Sequence, residues 1–243
     1  MAARRRLDAE LVRRGLVTSR QQAQQAITAG RVLVGGAPAD KAARLVGAGE
    51  PVTLQGPPPR YVSRGGLKLE AALDGFGLDP RGLRCLDAGA STGGFTDCLL
   101  QRGAAAVVAV DVGHGVLHER LRADPRVTVL ERTNVRSLDL GERFPLLTAD
   151  LSFISLRTVA PALLAHAAAD LVLLVKPQFE AGRAEASRGR GVITDPAVHE
   201  RVLEEVAVAF AGLGAAKMGV MRSPVTGADG NVELLLHLSV GGG

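Results

Sequence analysis

Apolar positions in this chain fall first at helical spacing and later in short runs of strand length. Leu7, Leu11 and Val12 share one helical face, with Arg4, Arg5, Arg6, Arg13 and Arg14 around it. A second helix is predicted over SRQQAQQAITAG, with Thr18 or Ser19 as N-cap and Gly30 as its close. RVLVGGAPAD then reads as a hairpin around Gly35–Gly36, and PVTLQ as another short strand. These elements predict a small α+β domain over residues 1–58, ending in a stiff GPPP spacer at Gly56–Pro59.

A second domain is expected over residues 59–243. RYVSRGGLKLEAALDGFGL holds a turn at Gly65–Gly66 and a helix from about Leu67. From Leu83 onward short apolar runs alternate with helical patterns, as in a doubly wound, mostly parallel, seven-stranded α/β sheet of Rossmann-like type. Strands are predicted at Arg84–Asp87, Val107–Asp111, Val127–Leu130, Leu146–Asp150, Leu171–Lys176, Ala216–Met221 and Val232–Val240. Helices are predicted near Gly94–Arg102, Gly115–Ala123, Leu156–Ala167 and Pro196–Gly212. Asp87, Asp111, Asp150 and Lys176 end strands, and open α/β sheets bind ligands outside the carboxyl ends of their strands. The four residues therefore converge on one rim, which points to an enzyme.

The stretch Cys85–Leu100, CLDAGASTGGFTDCLL, is a strand, a glycine-dense turn and a helix start. Its spacing is not G-x-G-x-x-G. Asp87 stands where a dinucleotide turn would receive a pyrophosphate, and a carboxylate there suits a cationic ligand instead. S-adenosylmethionine (SAM), with a sulfonium, an ammonium and no phosphate, is such a ligand. Asp111 falls where a carboxylate could take ribose hydroxyls. The pair favours SAM over NAD, and a tight turn without a ligand is the remaining alternative.

Composition narrows the field. Apolar residues make up 47% of the 243, enough for a core, while aromatics are 3% and tryptophan is absent. Runs such as Ala167–Val175 are too short to cross a bilayer, and the start, MAARRRLDAE, has no apolar segment behind it. A cytoplasmic protein without stable membrane association is expected. Cys85 and Cys98 cannot build a disulfide framework, and with five scattered histidines they offer no metal spacing. Charge is uneven: residues 1–60 hold ten Lys and Arg against four Asp and Glu, and the rest hold nineteen against twenty-one. A basic first quarter suggests an anion-binding module, for nucleic acid first and membrane surface second. EAGRAEASRGRGVITD (180–195), with Arg183, Arg188 and Arg190, reads either as a lid gripping phosphates or as a surface loop. Lys68 lies in a first helical turn, where the helix dipole does not favour a cation.

Two resemblances follow. TSRQQAQQAITAGRVLVGGAPA resembles the S4-type RNA-binding domain, first seen in a small-subunit ribosomal protein and shared by pseudouridine synthases. Such a domain binds structured RNA through phosphate and shape, and here the resemblance implies Arg4, Arg5, Arg6, Arg20, Arg31, Arg64, Arg188 and Arg190 as RNA contacts. The chain from Arg4 to Val240 resembles the TlyA family, ribose 2′-O-methyltransferases with an FtsJ-type catalytic domain. The resemblance is carried by YVSRGGLKLE, DAGASTGGFTD, TADLSFISL, VKPQFEAG, GRGVITDP and SPVTGADGNVELLL. It implies a catalytic tetrad of Lys68, Asp150, Lys176 and Glu233. It also implies a SAM site of Asp87, Gly89, Ala90, Ser91, Gly93, Gly94, Phe95 and Thr96, with Asp111 at the ribose and Asn134 beside it. The implied substrates are cytidines of ribosomal RNA, with no metal and no obligate protein partner.

The chemistry agrees. A ribose 2′-hydroxyl is a poor acid and needs a positioned base or a cationic environment for the forming alkoxide. Paired lysines lower one another's pKa, while neighbouring carboxylates raise it, so Lys176 either deprotonates the hydroxyl or orients it. Family members have also been described as hemolysins, which makes a membrane-active protein the alternative. An RNA-binding protein with an inactive methyltransferase fold is a third reading.

Overall fold

The chain divides into two units, Met1–Pro59 and Arg60–Gly243, and the computed structural model describes residues 4–17, 20–57, 59–182, 185, 191–227 and 230–241. In the first unit β1 (Arg5–Arg6) runs into α1 (Leu7–Arg13), followed by α2 (Arg20–Thr28), β2 (Val32–Val34), β3 (Ala37–Pro38), β4 (Leu45–Val46) and β5 (Val52–Leu54). β2 lies between β3 and β5, antiparallel to both, and β1 pairs with β4. Gly35 and Gly36 turn the hairpin at φ 63° and 84°. A two-residue hairpin turn with both residues at positive φ follows the twist of its strands, and two glycines adopt it without steric cost. Leu7, Leu11, Ala23 and Ile27 pack on Val32, Val34 and Val46. The β1–β4 pair was not foreseen, because strands of two residues have no period to read. The predicted cap at Thr18 or Ser19 lies outside the described residues.

The second unit opens with α3 (Gly65–Phe76). Then come β6 (Arg84–Ala88), α4 (Gly94–Gln101), β7 (Ala106–Val110), α5 (Glu119–Arg122), β8 (Val127–Leu130), β9 (Phe144–Ala149) and α6 (Leu156–Ala165). They are followed by β10 (Ala167–Val175), α7 (Pro177–Glu180), α8 (Pro196–Ala211), β11 (Ala215–Arg222) and β12 (Leu234–Val240). The sheet order is β11-β12-β10-β9-β6-β7-β8. β8, β7, β6, β9 and β10 run parallel, and β12 enters antiparallel between β10 and β11.

Both faces of this sheet are covered, as parallel sheets require. Leu171, Leu173 and Val175 face a core shared with Leu156, Val159 and Leu163 of α6 and Val206 and Phe210 of α8. Val172 and Leu174 point the other way, into a core with Leu69 and Leu73 of α3 and Cys98 and Leu99 of α4. The period of two in β10 thus serves two cores at once. Cys85 and Cys98 are free and buried, and burial pushes each thiol up to about 12, so both pack as small hydrophobes.

Several boundaries differ from the sequence reading, and Gly65 and Gly66, expected as a turn, already belong to α3. The helix predicted to Ala167 stops at Ala165, and Ala167 already begins β10, paired with Phe144 and followed by a register shift before Asp170. An alanine run favours helix by itself, and pairing with β9 overrides it. The helix predicted over Gly115–Ala123 shrinks to Glu119–Arg122.

Candidate active site

The sheet order reverses between β6 and β9: the chain moves outward through β7 and β8, then returns to the other side of β6. At such a switch point two crossovers leave in opposite directions and open a crevice. Here the crevice is a cavity of about 510 Å³ lined by Gly89, Ser91, Asp111, Asn134 and Asp150 among others. Gly89, at φ 84°, is held by its amide on the Val110 carbonyl at 2.8 Å. A Cβ there would stand 2.5 Å from the Asp150 carbonyl oxygen, so only glycine keeps the β6 and β9 ends this close.

Asp111 ties two loops together: Oδ2 accepts from the Ser91 amide and Oδ1 from the Gly113 amide, each at 2.7 Å. Each oxygen keeps acceptor capacity toward the cavity. The Asn134 side chain accepts from the Arg136 amide at 3.0 Å and caps the short 3₁₀ turn Val135–Ser137.

Asp87 is placed differently from the sequence expectation of a carboxylate facing a cationic ligand. It is fully buried and accepts from Thr96 Oγ1 at 2.6 Å and Thr148 Oγ1 at 3.2 Å. Burial raises its carboxyl to about 6 against the opposing pull of the two hydroxyls. Its position is that of a brace behind the turn, joining β6, α4 and β9. Ala90, Gly93, Gly94, Phe95 and Thr96 likewise do not line the cavity. Gly93 caps α4 at φ 96° against Leu121, and Phe95 belongs to the core. Sequence reasoning missed Val112, Thr133, Ser152 and Phe153 in the lining; the TADLSFISL run contained the last two.

Asp150 of the cavity lining belongs to the first of two ion pairs. Lys176 follows β10 and Asp150 follows β9, and Lys176 Nζ lies 2.6 Å from Asp150 Oδ1. The same ammonium donates to Ser152 Oγ at 2.8 Å and lies 5.9 Å from the Phe179 ring centre. Val175 pairs with Leu234 across the antiparallel ladder, so the next residues outward, Lys176 and Glu233, come side by side. Glu233 accepts from the ammonium of Lys68 on α3. Lys68, Lys176 and Glu233 are each at least nine-tenths buried, and each charge has an opposite partner, without which burial would be costly. All four residues of the predicted tetrad therefore meet at one rim, from α3, β9, β10 and β12. Pro177 at the first position of α7 ends the strand and starts the helix.

The VKPQFEAG glutamate has a structural task. Glu180 is buried and accepts from Ser155 Oγ at 2.6 Å and from the Leu156 amide at 2.7 Å, fixing the start of α6. Phe153, at φ 65° and 92% exposed, is an aromatic in the left-handed region. Its ring meets Phe179 at 5.1 Å. No group of residues suited to a metal occurs among the described residues.

The arginines of the first unit are largely engaged. Asp8, fully buried, accepts from Arg6 at 3.1 Å and Arg20 at 2.8 Å, and the Arg6 guanidinium above all holds its carboxyl well below the usual range. Arg4 lies 3.6 Å from Glu50, and Arg31 donates to the carbonyls of Gln55 and Pro57. Arg4, Arg6 and Arg20 keep about half of their side-chain surface in water. Arg5 on β1 and Arg64, which precedes α3 in the second unit, are exposed. Arg183, Arg188 and Arg190 lie outside the described residues.

Residues 61–240 match the FtsJ-like methyltransferase family, and residues 5–52 match the S4 domain. The 16S/23S rRNA (cytidine-2′-O)-methyltransferase TlyA of Mycobacterium tuberculosis is 53% identical over 98% of this chain and 91% of its own length. Hemolysin A of Brachyspira hyodysenteriae is 38% identical over 97% of this chain and 100% of its own. A solved structure from Streptococcus thermophilus, also carrying a hemolysin name, is 40% identical and superposes with a TM-score of 0.78 over 100% of this chain and 90% of that one. With an S4 domain joined to an FtsJ-like domain, and likeness along nearly the whole length of these relatives, the chain belongs to the TlyA family of methyltransferases.

Proposed function

We propose that this chain methylates the ribose 2′-hydroxyl of a cytidine in ribosomal RNA, using SAM as methyl donor. The observation that carries the reading is the double ion pair, Lys176 with Asp150 and Lys68 with Glu233, with Asp150 in the lining of a cavity bounded by a glycine that admits no side chain. The cavity volume of about 510 Å³ suits a ligand the size of SAM. Asp111 would take the ribose hydroxyls, and the close backbone at Gly89 would leave room for the amino acid end. SAM supplies an electrophilic methyl group when bound.

The chain's own residues then have a short task. Transfer to oxygen demands in-line alignment and a place for the hydroxyl proton. Lys176, kept at the rim by Asp150, would take that proton as the neutral amine or, as the ammonium, orient the hydroxyl while the proton leaves to water. Lys68, fixed by Glu233, adds a second cation that stabilises negative charge building on the 2′-oxygen. The S4 unit would grip structured RNA through its half-exposed arginines. Ribosomal RNA as substrate places the reaction in the cytoplasm.

No helix among the described residues is long and apolar enough to cross a membrane.

The test is methyl transfer from labelled SAM to ribosomal subunits from cells lacking this activity, with the modified position mapped as a 2′-O-methylcytidine. Lys176→Ala should lose roughly 100-fold or more in rate and keep SAM affinity. Methylation of a base instead of a ribose, or an unimpaired Lys176→Ala variant, would overturn the assignment.

A further inference from the structure

Ser152 was not among the predicted site residues, yet it makes a direct contact with Lys176. We propose that Ser152 is a positioning residue that fixes the direction in which the Lys176 amine faces the site. The inference rests on the methyltransferase reading above.

A lysine ammonium is a point charge on a four-carbon stem, with three N–H donors and no directional preference of its own. One carboxylate partner leaves such a group free to swing about the ion-pair axis. Here a second partner removes that freedom: Nζ lies 2.6 Å from Asp150 Oδ1 and 2.8 Å from Ser152 Oγ. With two donors committed and the stem fixed, the third nitrogen direction is determined.

The chemistry of the two partners differs. A carboxylate accepts and carries charge, so Asp150 supplies the counter-charge that keeps the buried ammonium in place. A hydroxyl both donates and accepts, and its hydrogen rotates to suit. Ser152 accepts from the ammonium and adds direction without adding charge, so the remaining N–H of Lys176 is aimed by two fixed contacts.

Local backbone supports the same reading. Asp150 and Ser152 stand on one loop after β9, and the next residue, Phe153, adopts φ 65° although it is an aromatic. A bulky residue in the left-handed region is held there only when its surroundings over-determine it, and such strain gathers at functional sites. The turn aims Ser152 at Lys176 and sets the Phe153 ring against Phe179. Ser152 also lines the cavity assigned to the methyl donor, so the amine it holds borders that cavity.

The test compares Ser152→Ala and Ser152→Thr with the parent in steady-state methylation of ribosomal subunits, with SAM affinity measured by calorimetry. Ser152→Ala should lose about 10- to 100-fold in kcat, the size of one hydrogen bond to a charged group, with KM for RNA and SAM affinity little changed. Ser152→Thr, which keeps the hydroxyl, should recover most of the rate. Ser152→Ala at the parent rate would overturn the inference while leaving the methyltransferase reading intact. So would a loss confined to SAM affinity, or a threonine variant as slow as the alanine one. Absence of methylation by the parent itself would instead remove the reading on which the inference rests.

Discussion

Lys68 and Glu233 lie far apart in sequence and meet as a buried pair, in which each supplies the other's counter-charge. Glu233→Gln should leave the Lys68 ammonium buried without its counter-charge, at a cost of about 3–5 kcal/mol. A thermal melt should show the loss as a clear fall in Tm, accompanied by loss of methyl transfer; an unchanged Tm would mean that Lys68 reaches water. Asp87 gives a prediction in pH. Its folded carboxyl, raised to about 6, binds a proton more tightly than the unfolded chain does near pH 4, so its contribution to stability is full below about pH 4 and is lost as pH rises through about 6. The neutral isostere Asp87→Asn lacks this loss. The Tm of the variant relative to the parent should therefore rise between about pH 4 and pH 7, while all other carboxylates cancel in the comparison. The four positions of the two ion pairs were named through the family resemblance, because they sit in long, ordered motifs. Ser152 was not, since a serine in a loop carries no periodic signal and its value lies in a contact made only after β9 and β10 pair.

Elements set what a residue can reach. Strand ends were readable from apolar runs broken by Asp or Lys, and three of the four, Asp111, Asp150 and Lys176, stand at or beside the cavity. What the runs did not convey was which strand-end side chain faces outward: Asp111 borders the cavity, while Asp87 turns inward to Thr96 and Thr148. That choice depends on the pleat at the last strand residue, and a one-residue uncertainty in the strand end reverses it. The alanine run before Asp170 hid the start of β10 for a related reason, since its local preference and its tertiary partner disagree. The β6 turn yields a sharp test. Gly89→Val forces a side chain onto the Asp150 carbonyl and a β-branched residue into φ 84°. SAM affinity should fall by at least tenfold in calorimetry, about 1.4 kcal/mol, and the carbonyl displacement should lower methyl transfer as well. Full affinity in this variant would move the cofactor away from the turn.

At the scale of the whole molecule, the chain forms two units with cores of their own, and the proposed function assigns recognition to the first and chemistry to the second. Residues 60–243 expressed alone should bind SAM as the full chain does and bind ribosomal RNA far more weakly, because the basic excess resides in residues 1–60. Equal RNA affinity in a filter-binding assay would assign that excess another purpose. The composition asymmetry made this division visible in sequence, whereas the pairing of Asp8 with Arg6 and Arg20 was not, so fewer arginines are free than a count suggests. The rim has the opposite character: its two lysines and two carboxylates cancel. A neutral reaction centre served by a charged gripping unit separates two kinetic constants by ionic strength. KM for RNA should climb steeply from about 50 to 200 mM salt as counterions compete for the phosphates. Turnover at saturating RNA should stay flat over the same range, because screening acts weakly on buried pairs whose charges sum to nothing.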